Sequence, residues 1–162
     1  MIVVWGVSGC GKSTVGQLLA QRLNWSFYDA DDFHPQANID KMRRGIALDD
    51  EDRYPWLDVL AALIEQMNKG GKNGVLACSA LKASYRTLLG FDHKDVYGVH
   101  LSGAESLIEA RLASRQHEFM NRKLLASQIA TLEADTDSLT LDIASSPSRL
   151  CEQIIDSLGI QP

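Results

Sequence analysis

Eight consecutive residues near the start of the chain, Gly6-Val7-Ser8-Gly9-Cys10-Gly11-Lys12-Ser13, have the makings of a phosphate cradle. Glycines let a backbone wrap closely round an anion without side-chain obstruction. A lysine supplies positive charge to the outer phosphates, and a hydroxyl next to it is placed to help hold a magnesium ion. The spacing is that of a P-loop: Gly6 and Gly11 are separated by four residues and followed at once by Lys12 and Ser13. The residues expected to hold a nucleotide are therefore Gly6, Ser8, Gly9, Cys10, Gly11, Lys12, Ser13 and Thr14, with Lys12 on the beta and gamma phosphates and Ser13 on the metal. Cys10 reads as a small loop residue in preference to a reactive thiol, although a helix start can lower a thiol pKa.

Such a loop works only between a strand that leads in and a helix that leads out, because the first amides of the helix and its dipole then point at the anion. Both elements are legible. Ile2 to Trp5 is a short apolar run that reads as a buried parallel strand, and Val15, Leu18, Leu19 and Leu23 recur at helical spacing over Lys12 to Leu23. Ser26 to Tyr28 reads as a second strand ending at Asp29-Ala30-Asp31-Asp32. Asp29 and Asp31 lie two apart at that strand end, so they point to one side at the carboxyl edge, where ligands bind in open α/β sheets. Asp31 is the candidate to orient or accept the proton of an acceptor hydroxyl; Asp29 reads more as a turn cap.

The polar stretch from His34 to Leu48, with little periodicity, reads as a mobile helical excursion of the kind that closes over ligands. Pro55 marks the first turn of a helix running to about Met67, with Trp56 and Leu57 as core anchors. Val75 to Cys78, Val96 to Leu101 and Leu139 to Ile143 read as three more strands. Helices are expected around Leu81 to Leu89, Ala104 to Arg115, Lys123 to Leu132 and Ser148 to Leu158. This alternation predicts an α/β fold, a parallel sheet covered by helices on both faces.

The whole, at 162 residues, suits one domain spanning 1–162, with a substrate-binding insert at about 32–56 and a lid at about 115–124. A net charge of −5 argues against nonspecific nucleic-acid binding. The three scattered cysteines suit a reduced cytoplasmic protein. Nothing in the apolar start has the length or basic flank of a membrane span or export signal. A P-loop by itself does not separate a kinase from a nucleotide switch or a motor. The third strand runs into Ser79-Ala80-Leu81-Lys82 without the acidic residue that holds magnesium in motors and switches. Asp95-Val96-Tyr97-Gly98 begins a strand where a switch motif would end one, so a small-molecule kinase is favoured.

Further phrases carry a specific resemblance. Asp29-Ala30-Asp31-Asp32-Phe33-His34-Pro35, then Asn38 with Lys41-Met42, Asp52-Arg53-Tyr54-Pro55-Trp56-Leu57, Ala77-Cys78-Ser79-Ala80-Leu81-Lys82 with Tyr85-Arg86, and Arg111 through Ser127-Gln128 together resemble the gluconate kinase family. That family lies near shikimate kinase and the nucleoside monophosphate kinases. The resemblance covers nearly the whole chain. It implies transfer of the ATP gamma phosphate to the 6-hydroxyl of D-gluconate, with ATP and Mg2+ as cofactors. It also implies a P-loop kinase fold with a five-stranded parallel sheet, and a homodimer. Two departures stand out: Ala134-Asp135-Thr136-Asp137 where the family often has a proline, and Phe33 in place of a more usual leucine.

With that resemblance, Arg53, Lys82 and Arg86 are expected on the gluconate carboxylate and hydroxyls, since guanidinium groups grip carboxylates bidentately. Lys82 and Arg86, four apart on a helix, are expected to share a face. Ser79 and His34 join the substrate set; for His34 a local loop hydrogen bond is an equal reading. Arg111 and Arg115 are expected on the ATP side, Arg115 arriving with the lid as a catalytic cation; the alternative is an exposed face paired with Glu109 and Glu118. Ser145-Ser146-Pro147 resembles the adenine-cupping loop of related kinases. His93 and His100 lack metal spacing and read as packing or surface residues. A different acceptor, such as shikimate or a nucleotide, and a noncatalytic switch are the competing readings.

Overall fold

The structure is a computed structural model and describes residues 1–114 and 122–161. Five strands, β1 (Ile2–Trp5), β2 (Ser26–Asp29), β3 (Gly74–Cys78), β4 (Tyr97–Ser102) and β5 (Leu139–Asp142), form one parallel sheet in the order β2-β3-β1-β4-β5. Among the described residues seven α-helices are interleaved: α1 (Lys12–Leu23), α2 (Gln36–Arg43), α3 (Asp50–Lys69), α4 (Ala83–Leu88), α5 (Glu105–Ser114), α6 (Arg122–Thr131) and α7 (Pro147–Leu158). This is the expected α/β architecture of helices on both sides of a five-stranded parallel sheet.

The period of two in β1 assigns the layers. Ile2 and Val4 face one core with Val15, Leu19, Leu150 and Ile154, so α1 and α7 cover that side. Val3 and Trp5 face the other, with Trp56, Leu57, Leu60 and Tyr85 from α3 and α4. Leu57, Leu60 and Ile64 recur at helical spacing and are almost wholly buried. Each contributes about 1.5–3 kcal/mol by leaving water. Because β1 is central, with β3 on one side and β4 on the other, its carboxyl end opens at the switch point of the sheet. Trp5 is in register with Cys78 and with His100, and Asp29 with Ala77, so the P-loop, residue 79 and the turn after β2 emerge on one edge.

One local expectation is corrected. α3 begins at Asp50, five residues before Pro55, because Asp49 and Asp52 form a reciprocal capping box that satisfies the first amides. Pro55 thus lies inside the helix. The polar stretch after β2 is helical as expected, forming the two-turn α2, which is held to α3 by Lys41, whose Nζ lies 2.6 Å from an Asp52 carboxylate oxygen. The missing proline before β5 is replaced by an aspartate turn: the Asp135 carboxylate accepts from the amides of Asp137 and Ser138 at 3.2 Å. Ser138 Oγ in turn accepts from Trp5 Nε1 at 3.1 Å.

Candidate active site

The loop between β1 and α1 has the strained backbone a phosphate cradle requires. Gly6, Gly9 and Gly11 have φ of 143°, 83° and 103°. A side chain on Gly6 would also stand 2.7 Å from the Leu101 carbonyl oxygen, and one on Gly9 2.7 Å from Leu112 Cγ, so close packing as well as φ demands glycine there. Lys12 Nζ donates to Val7 O at 3.0 Å, folded over the loop it serves. Ser8 is clasped by Gln128 of α6, whose amide oxygen accepts from Ser8 N at 2.7 Å and whose nitrogen donates to Ser8 Oγ at 3.2 Å.

Ser13 Oγ donates to Asp29 Oδ2 at 2.6 Å, while Asp29 Oδ1 accepts from the Asp31 amide at 3.1 Å. One carboxylate therefore caps the 3-10 turn Ala30–Phe33 and grips the serine that follows the P-loop lysine. Among the described residues no group of three or more His, Cys, Asp or Glu forms a protein cage for a metal. A serine hydroxyl with one adjacent carboxylate does suit magnesium, which keeps waters and takes its other ligands from phosphates.

Two cavities meet at Gly11. The larger, of about 580 Å³, runs from Gly9, Lys12 and Ser13 past Asp31 and Ser79 to His34, Arg53 and Trp56. Ile39, Met42 and Leu48 from the insert and Leu112, Leu124 and Gln128 from the α5 and α6 side wall it in. The smaller, of about 270 Å³, lies between Cys10, Thr14, Arg111 and Pro147. Arg111 is tied down there, its Nη1 donating to Cys10 O at 3.3 Å and its Nη2 to Ile143 O at 2.7 Å.

Asp31 is open to solvent through the cleft mouth, with its side chain 85% exposed, yet it is ringed by protein. That surrounding desolvation pushes its carboxyl above the usual value; the Lys12 charge pulls the other way. His34 stacks on Trp56 with ring centres 4.2 Å apart and lies 3.9 Å from Asp31 through Nε2. Burial, with the Arg53 charge behind it, lowers the His34 pKa to about 4, so the ring is neutral near pH 7. Trp56 holds the stack by donating from Nε1 to Ala30 O at 2.7 Å.

Lys12, Ser13, Asp31, His34, Arg53 and Ser79 are thus gathered round one cavity, and Cys10, Thr14, Arg111 and Pro147 round the other. Arg53 is steadied by donating to the Tyr85 hydroxyl at 3.2 Å. Lys82 and Arg86 do not share a face. Lys82 is the N-cap of α4 and pairs with Asp50 at 2.7 Å, and the Tyr85 hydroxyl donates to the same carboxylate. Arg86 turns into the core, 4% exposed, where it donates to the carbonyls of Ala80, Leu81, Glu133 and Ala134 and lies 4.5 Å over the Trp5 ring. Its expected place on the substrate is corrected: with four backbone acceptors engaged, the guanidinium braces the loop after β3. Arg115 lies outside the described residues, as does most of the expected lid. The roles of Asn38, Asp50 and Gln128 were not legible from their types; for Asp29 the turn cap was, and its grip on Ser13 was not. Gln128 had a signal only in the Ser127-Gln128 phrase.

A glycine loop between a buried strand and a helix, opening onto a cleft lined by a carboxylate, defines a P-loop kinase of the small-molecule class. The shikimate kinase family model matches residues 8–158. The chain is 45% identical over 136 residues to a gluconokinase of Gluconobacter oxydans strain 621H, covering 84% of this chain and 76% of that protein. Among solved structures it resembles a sugar kinase from Janibacter sp. HTCC2649, with a TM-score of 0.91, 41% identity, and coverage of 99% of this chain and 95% of that one. It also resembles a gluconokinase from Sinorhizobium meliloti 1021, with a TM-score of 0.84, 38% identity, and coverage of 98% and 90%. The chain belongs to the shikimate kinase family and, within it, to the gluconokinases.

Proposed function

We propose that the protein phosphorylates D-gluconate on its 6-hydroxyl with ATP, giving 6-phosphogluconate and ADP. One observation carries the reading: a single cavity joins the phosphate cradle to Asp31, His34 and Arg53. The adenine end of ATP fits the smaller cavity by Pro147 and Arg111, and the triphosphate crosses at Gly11 into the larger one. Ser13, backed by Asp29, is the residue that would help hold Mg2+. That ion, when bound, neutralises phosphate charge.

The acceptor hydroxyl lies against Asp31. Its oxygen bonds to the gamma phosphorus as the bond from that phosphorus to the departing ADP oxygen breaks, and its proton passes to the Asp31 carboxylate and then to solvent. A carboxyl raised by its surroundings is a better proton acceptor than an ordinary one. Lys12 moves from Val7 O to the transferring phosphoryl group, where Arg115 supplies a second cation. Arg53 grips the sugar-acid carboxylate at the far end, and His34 and Ser79 bind its hydroxyls.

We place this activity in a single domain that works as a homodimer in the cytoplasm; among the described residues no helix is long and apolar enough to cross a membrane. A coupled ADP-release assay with MgATP and a panel of gluconate, other sugar acids, shikimate and nucleoside monophosphates tests the reading. Turnover that depends on gluconate supports it. Turnover with shikimate or a nucleotide alone reassigns the acceptor, and nucleotide binding without turnover makes the chain a switch.

A further inference from the structure

Asn38 is 3% exposed, polar, and not part of the cradle or the cavity wall. Its side-chain nitrogen makes two contacts. It donates to the Asp52 carbonyl in the first turn of α3 at 2.8 Å, and it faces Nδ1 of His34 at 3.3 Å. The first contact fixes the second. A backbone carbonyl only accepts, so the amide group must turn its NH2 toward Asp52; the opposite flip would set two oxygens against each other. The same NH2 then meets Nδ1 of His34, which has to be the acceptor and carry no hydrogen. The ring proton is left on Nε2, the nitrogen 3.9 Å from Asp31.

We propose that Asn38 is a positioning residue that locks His34 as the Nε2–H tautomer, so that His34 offers the cleft a hydrogen-bond donor beside Asp31. The consequence is specificity. A donor there binds an oxygen lone pair on the sugar acid and leaves the proton-accepting role to Asp31 alone, so two neighbouring side chains do not compete for the same hydroxyl proton. Protonating the ring would bring an Nδ1–H against the Asn38 NH2, which accords with the lowered His34 pKa. The stack on Trp56 and the burial of the His34 side chain, 5% exposed, prevent the ring from turning over to escape this arrangement. The inference about tautomer stands on the free protein; its effect on affinity rests on the gluconokinase reading.

Long-range proton–nitrogen correlation spectra of histidine-labelled protein without substrate read the tautomer directly, and His34→Gln assigns the signal among the four histidines. The expected result is a single Nε2–H form in the wild type at neutral pH. Asn38→Ala should populate both tautomers and raise the gluconate KM by roughly three- to tenfold, the worth of one neutral hydrogen bond, with kcat within about twofold. In the His34→Gln background, where the donor no longer depends on Asn38, Asn38→Ala should add nothing further to KM. An Nδ1–H or mixed signal in the wild type overturns the proposal even if no Asn38 variant folds, as does an equal KM cost of Asn38→Ala in both backgrounds. A chain that phosphorylates some other acceptor yet holds His34 in the Nε2–H form leaves this inference intact while refuting the gluconate reading.

Discussion

Arg86→Ala removes a guanidinium that donates to four backbone carbonyls and lies 4.5 Å over the Trp5 ring. The four acceptors are not equal. Glu133 and Ala134 belong to an exposed turn, where water replaces the lost donor. Ala80 and Leu81 are 0% and 2% exposed; the Leu81 carbonyl still accepts from the Glu133 amide at 2.8 Å, whereas the Ala80 carbonyl loses the donor it has. One buried carbonyl at about 1–3 kcal/mol, with a desolvated cation–π contact of roughly 1–2 kcal/mol, gives a loss of about 2–5 kcal/mol. For a chain of this size that lowers Tm by roughly 10 °C. Urea unfolding followed by tryptophan fluorescence measures the loss, and gluconate KM measured well below Tm should stay within about twofold of wild type. Arg86→Met, which keeps the stem over Trp5, should recover only part of the stability. A variant within about 1 kcal/mol of the parent but with gluconate KM raised tenfold or more would refute this reasoning and return Arg86 to the substrate.

Asp31→Asn should depress kcat by roughly two orders of magnitude at saturating MgATP and gluconate while sparing ATP affinity and the melt, since asparagine keeps the shape but is a poor base; retention of more than about half the activity would exclude that role. Asp29→Asn, which weakens the grip on Ser13 Oγ, should raise the Mg2+ concentration for half-maximal activity by roughly tenfold and lower kcat less than Asp31→Asn does. An unchanged Mg2+ requirement would reduce Asp29 to a turn cap. His34 takes its proton near pH 4 when folded and near 6.5 when unfolded, so between those values the unfolded chain binds more protons and stability rises with pH. About 3 kcal/mol present above pH 6.5 should therefore be lost by pH 4, and His34→Gln should flatten the denaturation profile over that window.

What could be read along the chain is what depends on neighbours in the sequence. The P-loop spacing, the apolar run of β1 and the helical recurrence of Val15, Leu19 and Leu23 are local patterns, and they were enough to define the sheet, the cradle and the strand-end pair Asp29 and Asp31. The family phrases extended that reading to Arg53, His34 and Ser79. What the tertiary structure alone decided is where each charged side chain spends its hydrogen bonds, because that depends on acceptors far away in the chain. Arg86 carries the same guanidinium as Arg53, but one meets the carbonyls of residues 133 and 134 and the other borders the cleft. Asn38 and Gln128 are unremarkable polar residues in sequence; a carbonyl on α3 and an amide in the P-loop give them their roles. Hydrogen bonds are directional and short-ranged, so residue type tells which partners are possible and only the folded backbone selects among them.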